Sequence, residues 1–263
     1  MIHARKKLGQ HFLVPAWADR LVEAIGPRAE DRFLEIGPGP GALTFRLAPR
    51  VAHLTAVEVD PRMIAELTPA VPANVTLVQG DILEFDPGPL AREGPLRVAG
   101  NLPYNVSSPI LFHLIRAYRE TSGIIDATLM LQREVAERLQ AAPGTGDYGV
   151  LTISVQLHAD VQPLLTLPPG AFRPAPKVHS SVVRLTFRPP QVPVTDEVVF
   201  EAMVRSMFTQ RRKVLGNALA RFAESRGRDA ADVLTAAGID SRRRPETLQL
   251  EELSRLADAF CHG

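Results

Sequence analysis

Short runs of apolar, β-branched residues alternate along the first half of the chain with longer segments in which apolar residues recur at helical spacing. This alternation predicts strands joined by crossover helices, as in a parallel sheet covered by helices on both faces. The predicted strands are 33–36, 54–59, 75–79, 96–100 and 128–131. Their separation of roughly 20 to 30 residues suits repeated βαβ units, so we expect a doubly wound α/β sheet.

Two later apolar segments, 161–167 and 181–187, are separated by a stretch that is rich in proline. Proline interrupts helices, so this connection is too rigid for a crossover helix. We therefore expect a closing hairpin, which completes a seven-stranded, mostly parallel, Rossmann-like sheet.

A change of composition follows the hairpin. Pro189, Pro190 and Pro193 interrupt the chain, and the pattern beyond them is helical. The predicted domains are therefore 1–190, which contains the sheet, and 191–263, a small helical domain.

A glycine-rich loop follows the first predicted strand directly, with Gly37, Gly39 and Gly41 alternating with prolines. Glycine lets the backbone turn sharply at the carboxyl edge of a sheet and approach a ligand closely. The spacing is GxGxG, whereas the dinucleotide fingerprint is GxGxxG, so the loop does not match an NAD site. A tight connection without a ligand remains the alternative for the loop taken alone.

Carboxylates accompany the ends of three successive strands. Glu58, at the end of the second strand, is placed to accept hydrogen bonds from ribose hydroxyls, and Asp81, after the third, can accept one from an adenine amino group. Glu35, at the end of the first, would offset the positive sulfonium and ammonium of S-adenosylmethionine and would repel a pyrophosphate. We therefore expect S-adenosylmethionine as the cofactor.

The fourth strand ends in a polar turn, Asn101-Leu102-Pro103-Tyr104. The Asn101 side-chain oxygen and the Leu102 carbonyl can accept the two hydrogens of an adenine amino group, while Pro103 fixes the turn. Tyr104 would stack on the base, and Phe172 could form the other face of the sandwich. A type I turn is the alternative for 101–104, and packing under the proline-rich loop is the alternative for Phe172.

Formal net charge is +1, so any attraction for nucleic acid depends on where the charges lie. Basic residues form three runs: Arg5, Lys6 and Lys7; Arg211, Arg212 and Lys213; Arg242, Arg243 and Arg244. These runs predict either a positive face or three solvated surface segments.

The chain has one cysteine, Cys261, so neither a disulfide framework nor a cysteine-built zinc site is expected, and a reducing cytoplasm is favoured. We expect no metal. The first residues lack the apolar stretch of a secretory signal, and no run reaches the roughly 18 apolar residues of a membrane span. A membrane partner is therefore not expected.

Six segments carry a resemblance to a known family: 8–13 (LGQHFL), 34–44 (LEIGPGPGALT), 101–109 (NLPYNVSSP), 131–139 (LQREVAERL), 172–180 (FRPAPKVHS) and 208–219 (FTQRRKVLGNAL). Nearly the whole chain resembles the ribosomal RNA adenine N6-dimethyltransferases, which are class I methyltransferases. It is most similar to those that dimethylate two adjacent adenosines in the 3′-terminal stem-loop of small-subunit (16S) ribosomal RNA.

The resemblance implies where ligands bind. It places the cofactor against His11, Leu13, Gly37, Gly39, Glu58, Asp81 and Asn101, and the target base between Tyr104 and Phe172. Many relatives have asparagine at the position of His11, and histidine could add a pH dependence. The basic runs near Arg211 and Arg242 would face ribosomal RNA in an immature 30S subunit, and the protein would act as a monomer.

Two rival functions remain open. One is the methylation of an adenine in large-subunit ribosomal RNA, as in the enzymes that confer macrolide resistance. The other is an assembly checkpoint, in which the protein chiefly binds immature small subunits and methylation serves as the signal for its release.

Overall fold

The computed structural model describes residues 10–261, and Arg5, Lys6 and Lys7 lie outside the described residues. The strands are β1 (Phe12–Leu13), β2 (Arg32–Ile36), β3 (His53–Glu58), β4 (Val75–Gln79), β5 (Leu96–Asn101), β6 (Ile124–Gln132), β7 (Ala159–Leu167), β8 (Phe172–Arg173) and β9 (Ser180–Phe187). The helices are α1 (Pro15–Ile25), α2 (Thr44–Leu47), α3 (Pro61–Leu67), α4 (Gly88–Arg92), α5 (Ser107–Thr121), α6 (Arg133–Leu139), α7 (Val150–His158), α8 (Glu197–Phe208), α9 (Leu215–Ser225), α10 (Ala230–Ala236) and α11 (Leu250–Asp258).

The large sheet has seven strands in the order β4-β3-β2-β5-β6-β9-β7. The pairs from β4 to β6 are parallel, whereas β9 is antiparallel to both β6 and β7. The predicted doubly wound, mostly parallel sheet and its closing hairpin are therefore confirmed. Chain order reverses between β2 and β5, and in open α/β sheets such a switch point leaves a crevice at the carboxyl ends of the strands.

Burial follows position in the sheet. Almost every residue of β2, β3 and β5 is buried, as expected for strands covered by helices on both faces. The edge strands β4 and β7 are partly exposed along their length.

The chain divides into two compact units. One contains the chain up to Ala136 together with Ala159–Arg188, and the other contains Glu137–His158 together with Pro189–Gly263. The predicted boundary after residue 190 places 137–158 in the first domain, whereas in the structure this segment belongs to the second unit. The reason is apolar packing, because Tyr148 and Ile153 of this segment are buried in the same cluster as residues of α8, α9, α10 and α11.

The second unit is held by that apolar cluster and by specific polar contacts. The Tyr148 hydroxyl donates to the Leu248 carbonyl at 2.9 Å, which fixes the inserted segment to the turn before α11. At the start of α9, Leu215 N–H donates to the Arg243 carbonyl at 2.7 Å and Gly216 N–H to the Ser241 carbonyl at 3.1 Å. Helix N-termini leave such donors unsatisfied, so these contacts cap α9.

In the first unit, a buried arginine lies at the amino end of β5. The Arg97 guanidinium donates to Asp31 at 2.6 Å, to Asp126 at 3.0 Å, and to the carbonyls of Ile25 and Gly26 at the end of α1. Arg97 is only 7% exposed. Because carbonyls at a helix C-terminus carry partial negative charge, a cation here offsets both the helix end and the two carboxylates.

Within the described residues, no helix is both long and apolar enough to cross a bilayer.

Replacement of Arg97 by methionine should be strongly destabilising, because the Asp31 and Asp126 carboxylates, only 12% and 14% exposed, would lose their cation. Breaking a buried ion pair in this way costs about 3 kcal/mol or more. Urea unfolding measures the change, and Arg50→Met, at an exposed arginine, is the control. If the two variants had equal free energies of unfolding, the conclusion that Arg97 stabilises the first unit would be wrong.

Candidate active site at the carboxyl edge of the sheet

A cavity of the first unit lies at the carboxyl ends of β2, β3 and β5. Its walls come from the glycine-rich loop after β2, the turns after β3, β4 and β5, and the segment Gln10–Leu13. The register explains this convergence, because Ile36 at the end of β2 pairs with Val57 of β3 and with Gly100 of β5. All predicted site residues of the first unit except Phe172 line this cavity.

The glycine-rich loop needs its glycines. Gly37, Gly39 and Gly41 have φ angles of 68°, 54° and 85°, in the left-handed region that L side chains rarely adopt. A Cβ at Gly39 would lie 3.3 Å from the Phe12 ring, whereas one at Gly37 would meet nothing within 4 Å. Gly37 therefore leaves open space in the cavity.

Glu58 holds this loop in place. One oxygen of its carboxylate accepts the Gly39 N–H and the other accepts the Asp60 N–H, each at 2.9 Å. Burial raises the pKa of Glu58, while these backbone hydrogen bonds oppose the shift. Each oxygen keeps a further acceptor position, so the carboxylate can hold the loop and also accept from a ligand.

Glu35 is buried beneath the same loop, with 2% of its surface exposed. The Thr44 hydroxyl donates to its carboxylate at 2.7 Å. Burial, with a smaller contribution from the neighbouring Glu58 charge, raises the pKa of Glu35 to about 7. A positive ligand group next to Glu35 would therefore favour its ionised form.

Asp81 lies at an exposed rim of the cavity, where its carboxylate accepts the Leu83 N–H at 2.9 Å. Asp60, two residues after Glu58, is bound by Gln10 and by Arg62, and the hydrogen bonds from Arg62 lower the pKa of Asp60 to about 2. The three predicted carboxylates Glu35, Glu58 and Asp81 line one cavity, as their positions at or after the ends of successive strands led us to expect.

Asn101, at the end of β5, has a defined amide orientation. Its Nδ2 donates to the His11 carbonyl at 2.8 Å, and because a carbonyl can only accept, the amide nitrogen must face His11. Among residues 10–261, no donor is seen on the Asn101 side-chain oxygen or on the Leu102 carbonyl. Leu102 N–H is bonded to the Met130 carbonyl at 3.1 Å, which fixes the turn to β6.

Tyr104 is half-buried and held at two points. Its hydroxyl shares a hydrogen bond of 2.8 Å with Ser180, and its ring stacks on His11 with centroids 5.6 Å apart and planes inclined by 24°. Burial raises the pKa of the Tyr104 hydroxyl. Pro103 and Tyr104 both line the cavity.

Phe172 is positioned differently from the base sandwich that its motif suggested. It has 0% exposure and packs among buried side chains that include Leu13 and Ala171. The short strand β8 pairs with β1, with Leu13 opposite Phe172, and directs Phe172 into the core while Arg173 is exposed. The structure therefore favours the packing alternative, because a fully buried ring offers no face to a base.

The basic residues of the second unit divide into two kinds. Arg211 donates to the Gly146 carbonyl at 2.9 Å and lies 3.4 Å from Glu246, and Arg243 is bonded to Glu252 and the Thr247 carbonyl. These two stabilise the unit itself.

The other four basic residues have exposed side chains, namely Arg212, Lys213, Arg242 and Arg244. Arg242 pairs with Asp240 yet remains 88% exposed. Because the start of α9 is bonded to the carbonyls of Ser241 and Arg243, the two basic runs lie side by side. We call these four residues the basic patch.

Three residues that form hydrogen bonds to side chains of the site were not predicted from the sequence, namely Gln10, Thr44 and Ser180. All three lie within segments that carry the resemblance, namely 8–13, 34–44 and 172–180, but no role was assigned to them there. No cluster of three or more His, Cys, Asp or Glu side chains suited to a metal occurs within the described part of the chain.

Comparison with known proteins agrees with this geometry. The profile of the family described as "Ribosomal RNA adenine dimethylase" matches residues 1–258. The chain belongs to the ribosomal RNA adenine dimethylase family. Among its relatives, "Ribosomal RNA small subunit methyltransferase A" of Xanthomonas euvesicatoria is 45% identical over 259 residues, covering 97% of this chain and 95% of the relative. The protein of that name from Pseudomonas fluorescens is 47% identical over 263 residues, covering 97% and 93%.

Two solved structures of similar fold are of proteins that are also named as methyltransferases or dimethyladenosine transferases. A dimethyladenosine transferase from Plasmodium falciparum has a TM-score of 0.75 and 26% identity, covering 94% of this chain and 96% of its own. A 23S rRNA methyltransferase, ErmE, has a TM-score of 0.65 and 28% identity, covering 95% and 100%. The family fold therefore extends over nearly the whole chain.

The raised pKa of Glu35 predicts a pH-dependent stability. The folded protein holds this proton up to about pH 7, whereas a free glutamate loses it near 4.5, so unfolding becomes easier as pH rises between these values. Glu35→Gln removes an ionisation cost of at most about 3 kcal/mol. The variant should match the wild type at pH 4 and be more stable at pH 8.

Urea unfolding at both pH values measures this difference. Glu84→Gln, at an exposed glutamate, is the control and should follow the wild type. If the difference in free energy of unfolding between Glu35→Gln and the wild type were the same at pH 4 and pH 8, Glu35 would not titrate as described.

Proposed function

We propose that this member of the ribosomal RNA adenine dimethylase family transfers methyl groups from S-adenosylmethionine to N6 of two adjacent adenosines in the 3′-terminal stem-loop of small-subunit ribosomal RNA. The observation that carries the chemistry is the pair of acceptors at the end of β5, the Asn101 side-chain oxygen and the Leu102 carbonyl. The choice of the small subunit rests on relatives named "Ribosomal RNA small subunit methyltransferase A".

The cavity fits S-adenosylmethionine better than a dinucleotide. Carboxylates Glu35, Glu58 and Asp81 line it, and among the described lining residues there is no lysine or arginine. A cofactor with a sulfonium and an ammonium is attracted to such a cavity, whereas a pyrophosphate is repelled.

In this proposal each wall of the cavity has its own role. Glu58 accepts from the ribose hydroxyls, Asp81 accepts from the adenine amino group, and Glu35 faces the positive end. Open space at Gly37 lets a ligand approach the backbone, and the turn at Gly39 is held by Glu58. His11, Leu13 and Asn101 complete the cofactor side.

When bound, S-adenosylmethionine supplies an electrophilic methyl group on its sulfonium. Asn101 and Leu102 would accept the two amino hydrogens of the adenine, which orients the nitrogen lone pair toward that methyl group. Because the proton can leave after the new bond has formed, no side-chain base is required, and positioning provides the catalysis. Tyr104 would supply the stacking surface for a base turned out of its helix.

The second unit would bind RNA through the basic patch. Exposed arginine and lysine side chains attract phosphates, and structured RNA is recognised mainly through its shape and backbone. An immature 30S subunit is the proposed partner, and we infer that the protein acts in the cytoplasm as a monomer. The assembly checkpoint remains compatible with this arrangement, because docking and chemistry use different residues.

Asn101→Ala should strongly reduce methyl transfer while leaving subunit binding intact, and any loss of cofactor affinity should be much smaller than the loss of transfer. Loss of a positioned hydrogen-bonding group typically lowers the rate by about 100-fold or more. Incorporation of labelled methyl groups into small subunits that lack the modification measures transfer, and calorimetry with S-adenosylmethionine measures binding. Transfer by the wild type into large-subunit RNA only would overturn the substrate assignment.

The basic patch predicts salt-dependent binding. Combined replacement of Arg212, Lys213 and Arg244 by glutamine should weaken binding to the small subunit and flatten the dependence of the logarithm of Kd on the logarithm of salt concentration. The slope should fall by about 0.7 to 0.9 for each phosphate that the variant no longer neutralises.

Arg243→Gln is the matched control for this experiment. The Arg243 guanidinium is bonded within the unit. The variant should therefore lower the free energy of unfolding, and it should change the salt slope less than the triple variant does. Equal slopes for the triple variant and the wild type would contradict RNA binding by the patch.

A further inference from the structure

The segment Gln10–Leu13 contacts both halves of the cavity. On the cofactor side, Gln10 donates to Asp60 at 3.1 Å and the Phe12 ring lies against Gly39. On the other side, the pairing of Leu13 with Phe172 joins the segment to the proline-rich loop before β9. One short stretch of chain therefore bridges the glycine-rich loop and the loop that ends at Ser180.

Within this segment His11 makes three contacts in one place. Its main-chain carbonyl accepts from Asn101 Nδ2 at 2.8 Å, and its Nδ1 lies 2.8 Å from the Pro174 carbonyl. Because the Pro174 oxygen can only accept, Nδ1 must carry the hydrogen and donate it. The ring orientation is thereby fixed, and the ring lies stacked on Tyr104.

Tyr104 is consequently held from two directions. Ser180 binds its hydroxyl, and the His11 ring covers one face. Tyr104 remains only partly buried and lines the cavity beside Asn101. With one face covered and the hydroxyl bound, the ring presents a defined surface to the cavity.

We propose that His11 is a positioning residue for the target base, whose imidazole ring holds Tyr104 while its carbonyl orients Asn101. This inference rests on the proposed function, since it assumes that adenine stacks on the uncovered face of Tyr104. The essential property of His11 is then its flat aromatic ring, and the buried Phe172 is not needed as the second half of a sandwich.

Two substitutions separate the ring from its hydrogen bond. His11→Phe keeps a flat ring and removes the donor to Pro174, whereas His11→Asn keeps an amide donor near the position of Nδ1 and removes the ring. Stacking of this kind corresponds to a change of about 3- to 10-fold in an equilibrium. We expect His11→Asn to lower kcat/KM for RNA by about that factor, and His11→Phe, which keeps the ring, to lower it less.

The experiment varies RNA at saturating S-adenosylmethionine and measures the Kd of the cofactor separately by calorimetry. RNA with 2-aminopurine at the target position reports stacking, because stacking on an aromatic ring quenches its fluorescence. His11→Asn should quench it less than the wild type does. His53→Asn is the control, since His53 is bonded to Thr76 away from the cavity.

A double-mutant cycle with Tyr104→Ala completes the test. If His11 acts through Tyr104, His11→Asn should have no further effect on kcat/KM in the Tyr104→Ala protein. Additive effects, a change confined to the cofactor Kd, or equal behaviour of His11→Asn and His11→Phe would overturn the inference. A wild type that methylates no adenosine would overturn the proposed function and the inference with it, whereas an active wild type with unaffected variants would overturn the inference alone.

Discussion

The parallel register of β2 with β3 and β5 is the constraint on which the site depends. Ile36 pairs with Val57 on one side and with Gly100 on the other, so three chain segments leave the sheet at the same level. At Gly100 the strand β5 lies very close to β2, because a Cβ on Gly100 would be only 2.7 Å from the Ile36 carbonyl oxygen. This contact leaves glycine as the residue that fits before Asn101 and brings the acceptor turn beside the glycine-rich loop.

Carboxyl groups at the two edges of the first unit are in different surroundings. Carboxylates line the cavity at the carboxyl edge, where burial raises the pKa values of Glu35 and Glu58. At the other end of β5, the Arg97 cation satisfies two carboxylates and the carbonyls at the end of α1. A cationic ligand in the cavity would therefore favour the ionised form of these carboxyl groups, while the opposite edge is internally paired.

Local patterns predicted much of the fold and part of the site. Apolar periodicity located all seven strands of the large sheet, and the strand ends carried Glu58, Asp81 and Asn101 to one edge, because parallel strands end together. The side chain of Phe172 and the assignment of 137–158 to a unit could not be predicted in this way. Both depend on contacts between residues far apart in sequence, which periodicity does not record.

The amino-acid sequence by itself determined the succession of strands along the chain, the spacing of the glycines, and the types of side chain at the strand ends. Each of these follows from local preferences of the backbone and from the burial of apolar residues. Only the tertiary structure decided which way the Asn101 amide faces and that His11 stacks on Tyr104. These contacts join residues 90 or more positions apart, and their geometry exists only when β1 has paired with β8 and packed against the end of β5.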